Sequence, residues 1–266
     1  MDTRTPPPKV LTIAGSDSGG AAGLQADMRT FAALGVYRMC AVTAVTAQNS
    51  VSVNGVEFMS GKFVQAQMDA VLSDYGTHAV KTGFLGRAEI IESVTTSLHL
   101  FQPANIVIDP VLVNHKGQAM FAADVLDAYS ALLLPLANLV TPNRREAELL
   151  TGLPVQTMAE METAVQHIHA LGPQNVLLKG GRAGDDIIDV LYDGDKLTRF
   201  RSPFVDTDNT HGSGDTLSAA VAAYLARGLA METAVAQAHQ FTAQAIQRAA
   251  TWQMGQGHGP LWPLPI

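Results

Sequence analysis

The segment Asn209-Thr210-His211-Gly212-Ser213-Gly214-Asp215-Thr216 stands immediately before a long alanine-rich stretch. Its glycines let the backbone turn so that several N–H groups point at one spot, and the start of a helix adds partial positive charge. Gly212, Ser213 and Gly214 therefore read as a site for a phosphate, or for the charge that develops on a transferring phosphoryl group. Asp215, at the helix start, has the chemistry to take a proton from a hydroxyl. The plainer reading of the same residues is a helix cap, because Asp is favoured there and glycine is common in loops.

Asn143-Arg144-Arg145-Glu146 places an amide and a carboxylate three residues apart at an expected helix start, so both can face one side and hold Mg²⁺ directly or through its waters. Asp109, at the end of another expected strand, is a third candidate. The competing reading is that Asn143 caps the helix and Glu146 closes a capping box. Lys179-Gly180-Gly181 suggests a phosphate contact from Lys179, against the equally open reading of a solvated lysine before a turn. Residues 15–23, Gly-Ser-Asp-Ser-Gly-Gly-Ala-Ala-Gly, are small enough to let a ligand approach the backbone near the first strand. They form neither a P-loop nor the dinucleotide fingerprint. Gln48 carries a donor and an acceptor that suit a heteroaromatic ring nitrogen beside an exocyclic amine.

Other chemistries are disfavoured. His167 and His169 lie two apart on one helix and face away from each other, and no Gly-x-Ser-x-Gly elbow is present. The single cysteine, Cys40, cannot make an internal disulfide, which suits a reducing cytoplasm. With 17 Lys+Arg against 24 Asp+Glu, the net charge is −7 and no basic block offers a nucleic-acid or anionic-membrane surface. The first residues lack the basic start and apolar run of a secretory signal. The apolar stretch 219–226 is stopped by Arg227 and Gly228, short of the roughly 20 residues needed to span a bilayer. Met158, Met161, Trp252 and Trp262 read as packing residues.

The elements that must position these groups alternate. Strands are expected at 10–14, 39–47, 79–82, 106–108, 139–141 and 176–179, and helices at 24–34, 63–72, 88–98, 125–134, 146–150 and 160–171. A hairpin over 187–200 turns at Asp193-Gly194, and two long helices follow at 216–227 and 231–248. Over 266 residues, 47 % hydrophobic and 15 % charged, this is material for a sizeable core and excludes disorder. Strand-helix repetition implies an α/β fold, a mostly parallel central sheet with helices on both faces, in a single domain over 1–266 with 1–8 as a flexible extension. Ligands of such sheets bind at the carboxyl ends of the strands, where the polar segments above converge.

These segments resemble the ribokinase-like kinases, and within them the hydroxymethylpyrimidine/phosphomethylpyrimidine kinases of thiamine biosynthesis. The resemblance runs in order through Leu11-Thr-Ile-Ala-Gly-Ser-Asp17, Gly23-Leu-Gln-Ala-Asp27, Thr43-Ala-Val-Thr-Ala-Gln-Asn49, Lys81-Thr-Gly83, Asp109-Pro-Val111, Thr141-Pro-Asn143, Lys179-Gly-Gly181, Asn209-Thr-His-Gly212 and Gly257-His-Gly-Pro260. It implies that ATP, with Mg²⁺, phosphorylates 4-amino-5-hydroxymethyl-2-methylpyrimidine and then its monophosphate. It also implies that Gln48 reads the aminopyrimidine edge, that Gly15 and Asp27 hold the substrate, and that Val111, Phe84 and Thr46 line its pocket. Gly212 to Asp215 would form the anion hole, Lys179, Gly181 and Thr210 would serve the nucleotide, and Asn143, Glu146 and Asp109 the metal. A homodimer is expected, and 114–118 is a candidate flap.

Four departures from the family pattern stand out. Many members have cysteine at the place of Asp215, methionine at that of Phe84, valine at that of Thr46 and Pro-Ser-Gly-Gly in place of Ser18-Gly19-Gly20-Ala21. Aspartate is the usual base of the wider ribokinase-like group, whereas a bulkier ring at 84 and a hydroxyl at 46 tune the pocket toward a related alcohol. Pyridoxal or pyridoxine phosphorylation is therefore the alternative, and a non-catalytic pyrimidine sensor is a third reading from another class.

Overall fold

The computed structural model describes residues 5–114, 117–121 and 123–264. One sheet of nine strands runs in the order β3-β2-β1-β4-β5-β6-β7-β8-β9. The strands are β1 (Lys9–Asp17), β2 (Tyr37–Gln48), β3 (Val53–Phe58), β4 (Ala79–Thr82), β5 (Ile106–Ile108), β6 (Leu139–Val140), β7 (Val176–Ala183), β8 (Asp186–Tyr192) and β9 (Leu197–Pro203). From β2 through β1 and β4 to β7 every pairing is parallel, while β3 at one edge and β8 and β9 at the other pair antiparallel.

Side-chain alternation divides the core between two faces. Leu11, Ile13, Ile106, Ile108, Val176 and Leu178 pack on one face with Met68, Ile90 and Val165. Those three residues come from α2 (Gly61–Asp74), α3 (Ala88–Phe101) and α6 (Met158–His169). Val10, Val107 and Leu177, one register away, pack on the other face with Phe31 and Val235 of α1 (Gly23–Ala33) and α8 (Met231–Ala249), and with α7 (Ser213–Ala226). Every residue of α7 from Thr216 to Ala226 is buried, and its alanines allow that helix to lie close against the sheet.

Three expectations change. β3 was not anticipated, because Val53-Asn-Gly-Val-Glu-Phe58 mixes glycine and polar residues and stays exposed along all but its end. The helix expected over 125–134 divides into α4 (Ala123–Ala128), a π turn Tyr129–Leu133 and a tight turn Leu134–Leu136 that contains Pro135, which has no N–H to continue a helix. The flexible extension 1–8 falls partly outside the described residues; within it, the Pro8 carbonyl accepts the Tyr37 N–H at 2.7 Å and so extends the β1–β2 ladder. The remaining helix, α5 (Arg144–Thr151), begins directly after β6 and brings Asn143 and Glu146 to the sheet's carboxyl edge.

Candidate active site

The carboxyl ends of the parallel strands and the start of α7 enclose a cleft of about 1190 Å³. Of the residues expected there, Gly15, Thr46, Gln48, Phe84, Asp109, Val111, Asn143, Glu146, Lys179, Thr210 and Gly212 to Asp215 line it. Asp27 and Gly181 do not. Asp27 is fully buried behind the wall, where its carboxylate accepts from Thr12 Oγ1 at 2.5 Å and from Lys81 Nζ at 2.9 and 3.0 Å. It supports the site rather than holding a substrate. Gly181 lies past an irregularity in the β7–β8 ladder and is crowded by Met161 and the Ile188 carbonyl, so it faces packing instead of nucleotide.

Gly212 is the N-cap of α7 with φ +84°, and a Cβ there would stand 2.0 Å from the Ala21 carbonyl oxygen. Only glycine satisfies both demands. No side chain caps this helix start, so the first-turn amides remain a positive end aimed at the cleft. One of the expected amides is engaged: Ser213 N–H donates to the Thr210 carbonyl at 3.0 Å, which leaves Gly214 and Asp215 as the stronger candidates for an anion. The segment leading into α7 is tied to the C-terminal residues, with His211 N–H on the Gly259 carbonyl at 3.0 Å and Asn209 Nδ2 on the carbonyls of Ala249 and Trp252.

Lys179, at the ladder irregularity, places its Nζ 2.8 Å from Asp109 Oδ1. Burial alone would raise the Asp109 carboxyl, but the ammoniums of Lys179 and Lys81 outweigh it and hold the group below its ordinary range. Lys179 in turn is held protonated: burial opposes its charge, and Asp109 and Glu146 restore it. Burial pushes Glu146 up to about 8, against the opposing pull of Lys179.

The helix start at Asn143 carries the complete capping box, with Asn143 Oδ1 accepting from Glu146 N–H at 3.0 Å and Glu146 Oε2 from Asn143 N–H at 2.9 Å. Leu112 N–H occupies the other oxygen, Oε1, at 3.2 Å. The structural reading of that spacing is thus present, yet both side chains still line the cleft. Asp109 lines the same cleft, with Oδ1 accepting from Lys179 and Thr141 and Oδ2 from Ser218. Among the described residues no cluster of three acidic, histidine or cysteine side chains is placed to hold a metal by itself.

Also on the cleft wall, Gln48 Nε2 lies 3.2 Å from His211 Nε2, and Gln48 Oε1 lies 3.3 Å from Thr46 Oγ1. The Thr46 hydroxyl donates to the Ser16 carbonyl at 3.0 Å, so the amide oxygen of Gln48 keeps acceptor capacity for a ligand. Phe84 stacks on Phe58 at 5.9 Å and meets Phe121 at 5.6 Å, forming an aromatic wall suited to a planar ring. The glycine-rich loop after β1 is organised internally: the Asp17 carboxylate accepts the N–H groups of Gly19, Ala21 and Ala22. Those amides are therefore spent on Asp17, and the loop offers shape more than charge. The candidate flap 114–118 falls partly outside the described residues; Val113 bridges Ala119, and Met120 N–H bonds the Leu112 carbonyl, so its two stems form a narrow hairpin beside the cleft.

Sequence reasoning missed Lys81, His211 and Asp17 as parts of this site. A lysine inside the apolar strand Ala79-Val-Lys-Thr82 was the available signal for Lys81, since a charge there must find a buried partner.

The chain matches the family described as phosphomethylpyrimidine kinase over residues 17–262. It is 46 % identical over 253 residues to a hydroxymethylpyrimidine/phosphomethylpyrimidine kinase of Rhizobium meliloti, covering 94 % of this chain and 95 % of that protein. It is 42 % identical over 257 residues to a chloroplastic thiamine biosynthetic bifunctional enzyme of Arabidopsis thaliana, covering 95 % of this chain but only 49 % of that enzyme, so it spans about half of that relative. A pyridoxal kinase of Bacillus subtilis, solved as an ADP complex, superposes with a TM-score of 0.90 at 37 % identity, over 96 % of this chain and 97 % of that one.

Proposed function

Since the chain belongs to the phosphomethylpyrimidine kinase family, we propose that it moves the terminal phosphoryl group of ATP to the hydroxymethyl oxygen of 4-amino-5-hydroxymethyl-2-methylpyrimidine, and then to the resulting monophosphate. In the first transfer the alcohol oxygen forms a bond to the γ-phosphorus, the bond from that phosphorus to the β-γ bridging oxygen breaks, and ADP leaves. Asp215 accepts the hydroxyl proton, and the amides opening α7 take up the charge of the transferring group. Lys179 neutralises phosphate oxygens. Gln48 donates to a ring nitrogen and accepts from the exocyclic amine, while Phe84 and Val111 bound the ring. Positioning and charge stabilisation supply most of the catalysis, as phosphoryl transfer requires.

Mg²⁺ fits as a water-bridged ion. Each Glu146 oxygen accepts one backbone N–H and retains a lone pair, and Asn143 stands beside it on the cleft wall, so the two would hold the ion's waters while ATP binds the ion itself. When bound, it neutralises charge on the phosphates. A single kinase domain in the cytoplasm accords with the exposed, unpaired Cys40 and with the absence, among the described residues, of a helix long and apolar enough to cross a membrane. A homodimer would cover the β2–β3 ribbon, where Val45, Val53 and Val56 are exposed beside the open edge of β3.

The observation that carries this reading is the placement of Asp215 and the uncapped start of α7 in one cleft with Gln48. The similarity to a pyridoxal kinase favours a second substrate, since the aromatic wall accepts any planar heterocycle bearing a hydroxymethyl group. Purified protein assayed with ATP and each alcohol separates the two: phosphorylation of the pyrimidine is expected, and turnover of the vitamin B6 alcohols alone would overturn the reading. Equal, negligible ATP turnover by wild type and Asp215→Asn, with ligand binding retained in both, would show a sensor.

A further inference from the structure

Lys81 has no exposure to solvent and sits in the middle of the sheet on β4, where a charge is costly to bury. Its ammonium reaches Asp27 on α1 and also Asp215 Oδ1, at 3.1 Å. Gly83, two residues on, is shaped to this contact: a Cβ there would stand 2.9 Å from Lys81 Nζ and 3.8 Å from Asp215 Oδ1. Thr12 completes the shell by donating to Asp27.

We infer that Lys81 is a positioning residue for this reaction: its ammonium pins one oxygen of Asp215 and leaves the other for the alcohol hydroxyl, while Asp27 holds the ammonium in place. The inference rests on the reading of Asp215 as the base. The consequence follows from the geometry. The carboxylate loses rotational freedom against the ammonium, so one oxygen is presented in a defined direction. The charged groups that face Asp215 are Lys81 on β4, Asp27 on α1 and Lys179 on β7, together with Asp109, directly after β5, through the two lysines.

The test compares wild type, Lys81→Met, Asp27→Asn and the double variant Asp27→Asn/Lys81→Met, with ATP and the pyrimidine alcohol at neutral pH. The double variant replaces a buried ion pair by neutral groups, so it keeps a folded protein available if Lys81→Met alone leaves Asp27 unpaired and fails to fold. Folding is followed by circular dichroism. Removing Lys81 is expected to lower kcat by about 100-fold, as a misplaced base does. KM for ATP should change less than about threefold, so the loss falls on kcat and not on binding. Asp27→Asn, which keeps Lys81 beside Asp215, should lower kcat by less than about tenfold. A merely structural lysine would lower the melting temperature and leave kcat of the folded variants near that of wild type. A folded double variant with kcat within about twofold of wild type overturns the inference alone. A wild type that phosphorylates neither heterocyclic alcohol overturns the functional reading and this inference with it.

Discussion

Lys179 Nζ stands 2.8 Å from Asp109 Oδ1, and a Cβ on Gly214 would come within 3.1 Å of the same ammonium. The relationship joins the residue after β5, β7 and the start of α7 at one charged point. A methyl group at 214, the second glycine of the Gly-Ser-Gly turn, would press on the Lys179 ammonium, which would have to give by a few tenths of an ångström.

Replacing Lys179 by Met leaves Asp109 buried without its nearest cation, which is expected to cost about 3 kcal/mol of stability at neutral pH. The sign of the pH dependence follows from Asp109, whose folded pKa lies below its ordinary value of 3.8. Such a group binds more protons when unfolded, so its contribution is present above pH 3.8 and is lost as the pH falls through the folded value. The stability gap between wild type and Lys179→Met should therefore be full at pH 7 and shrink below pH 3.8, as urea denaturation at the two pH values will show. A gap independent of pH would remove Asp109 from the explanation.

Asp215→Asn retains the size of the side chain and loses the proton acceptor. Phosphoryl transfer should slow by about 10² to 10⁴ in kcat, with KM for ATP within about threefold, measured by coupled detection of ADP. Retention of more than a tenth of wild-type kcat would mean that another group accepts the proton.

Gln48→Leu removes the edge-reading amide and leaves His211 without that partner. KM for the pyrimidine alcohol should rise by about 10- to 100-fold, the loss of one or two hydrogen bonds, with a smaller change in kcat. Initial rates over a substrate series decide it, and an unchanged KM would place the ring elsewhere in the cleft.

Gly212→Ala demands a left-handed conformation from an alanine and sets its methyl against the Ala21 carbonyl at 2.0 Å. Strain of about 2 kcal/mol or more is expected together with a displaced α7 start. Calorimetry should find a melting temperature lower by several degrees and activity reduced at temperatures where the variant is folded. An unchanged melting temperature would show that the loop yields without cost.

Much of this protein could be read along the chain. The alternating strands and helices, the hairpin turning at Asp193-Gly194 and the helix opened by Gly-Ser-Gly-Asp are local patterns, because side-chain period and backbone permissiveness act over a few residues. Asn143 and Glu146 show the limit of such reading. Their three-residue spacing serves a capping box and a cleft wall at once, and spacing alone does not separate the two. Asp27 shows another limit: a carboxylate one turn into the first helix looks available to a ligand until the sheet closes over it.

By itself, the sequence determined the α/β architecture, the convergence of its polar segments at one edge, and the residue types available for phosphoryl transfer. These follow from periodicity and from the chemistry of individual side chains. Only the tertiary structure decided that Lys81 meets Asp27 and Asp215, residues 54 and 134 positions away, and that Asp109 pairs with Lys179. The physical reason is that the pairing of buried charges depends on which strand lies beside which helix, and that is settled by the packing of the whole sheet, over distances along the chain that no local pattern spans.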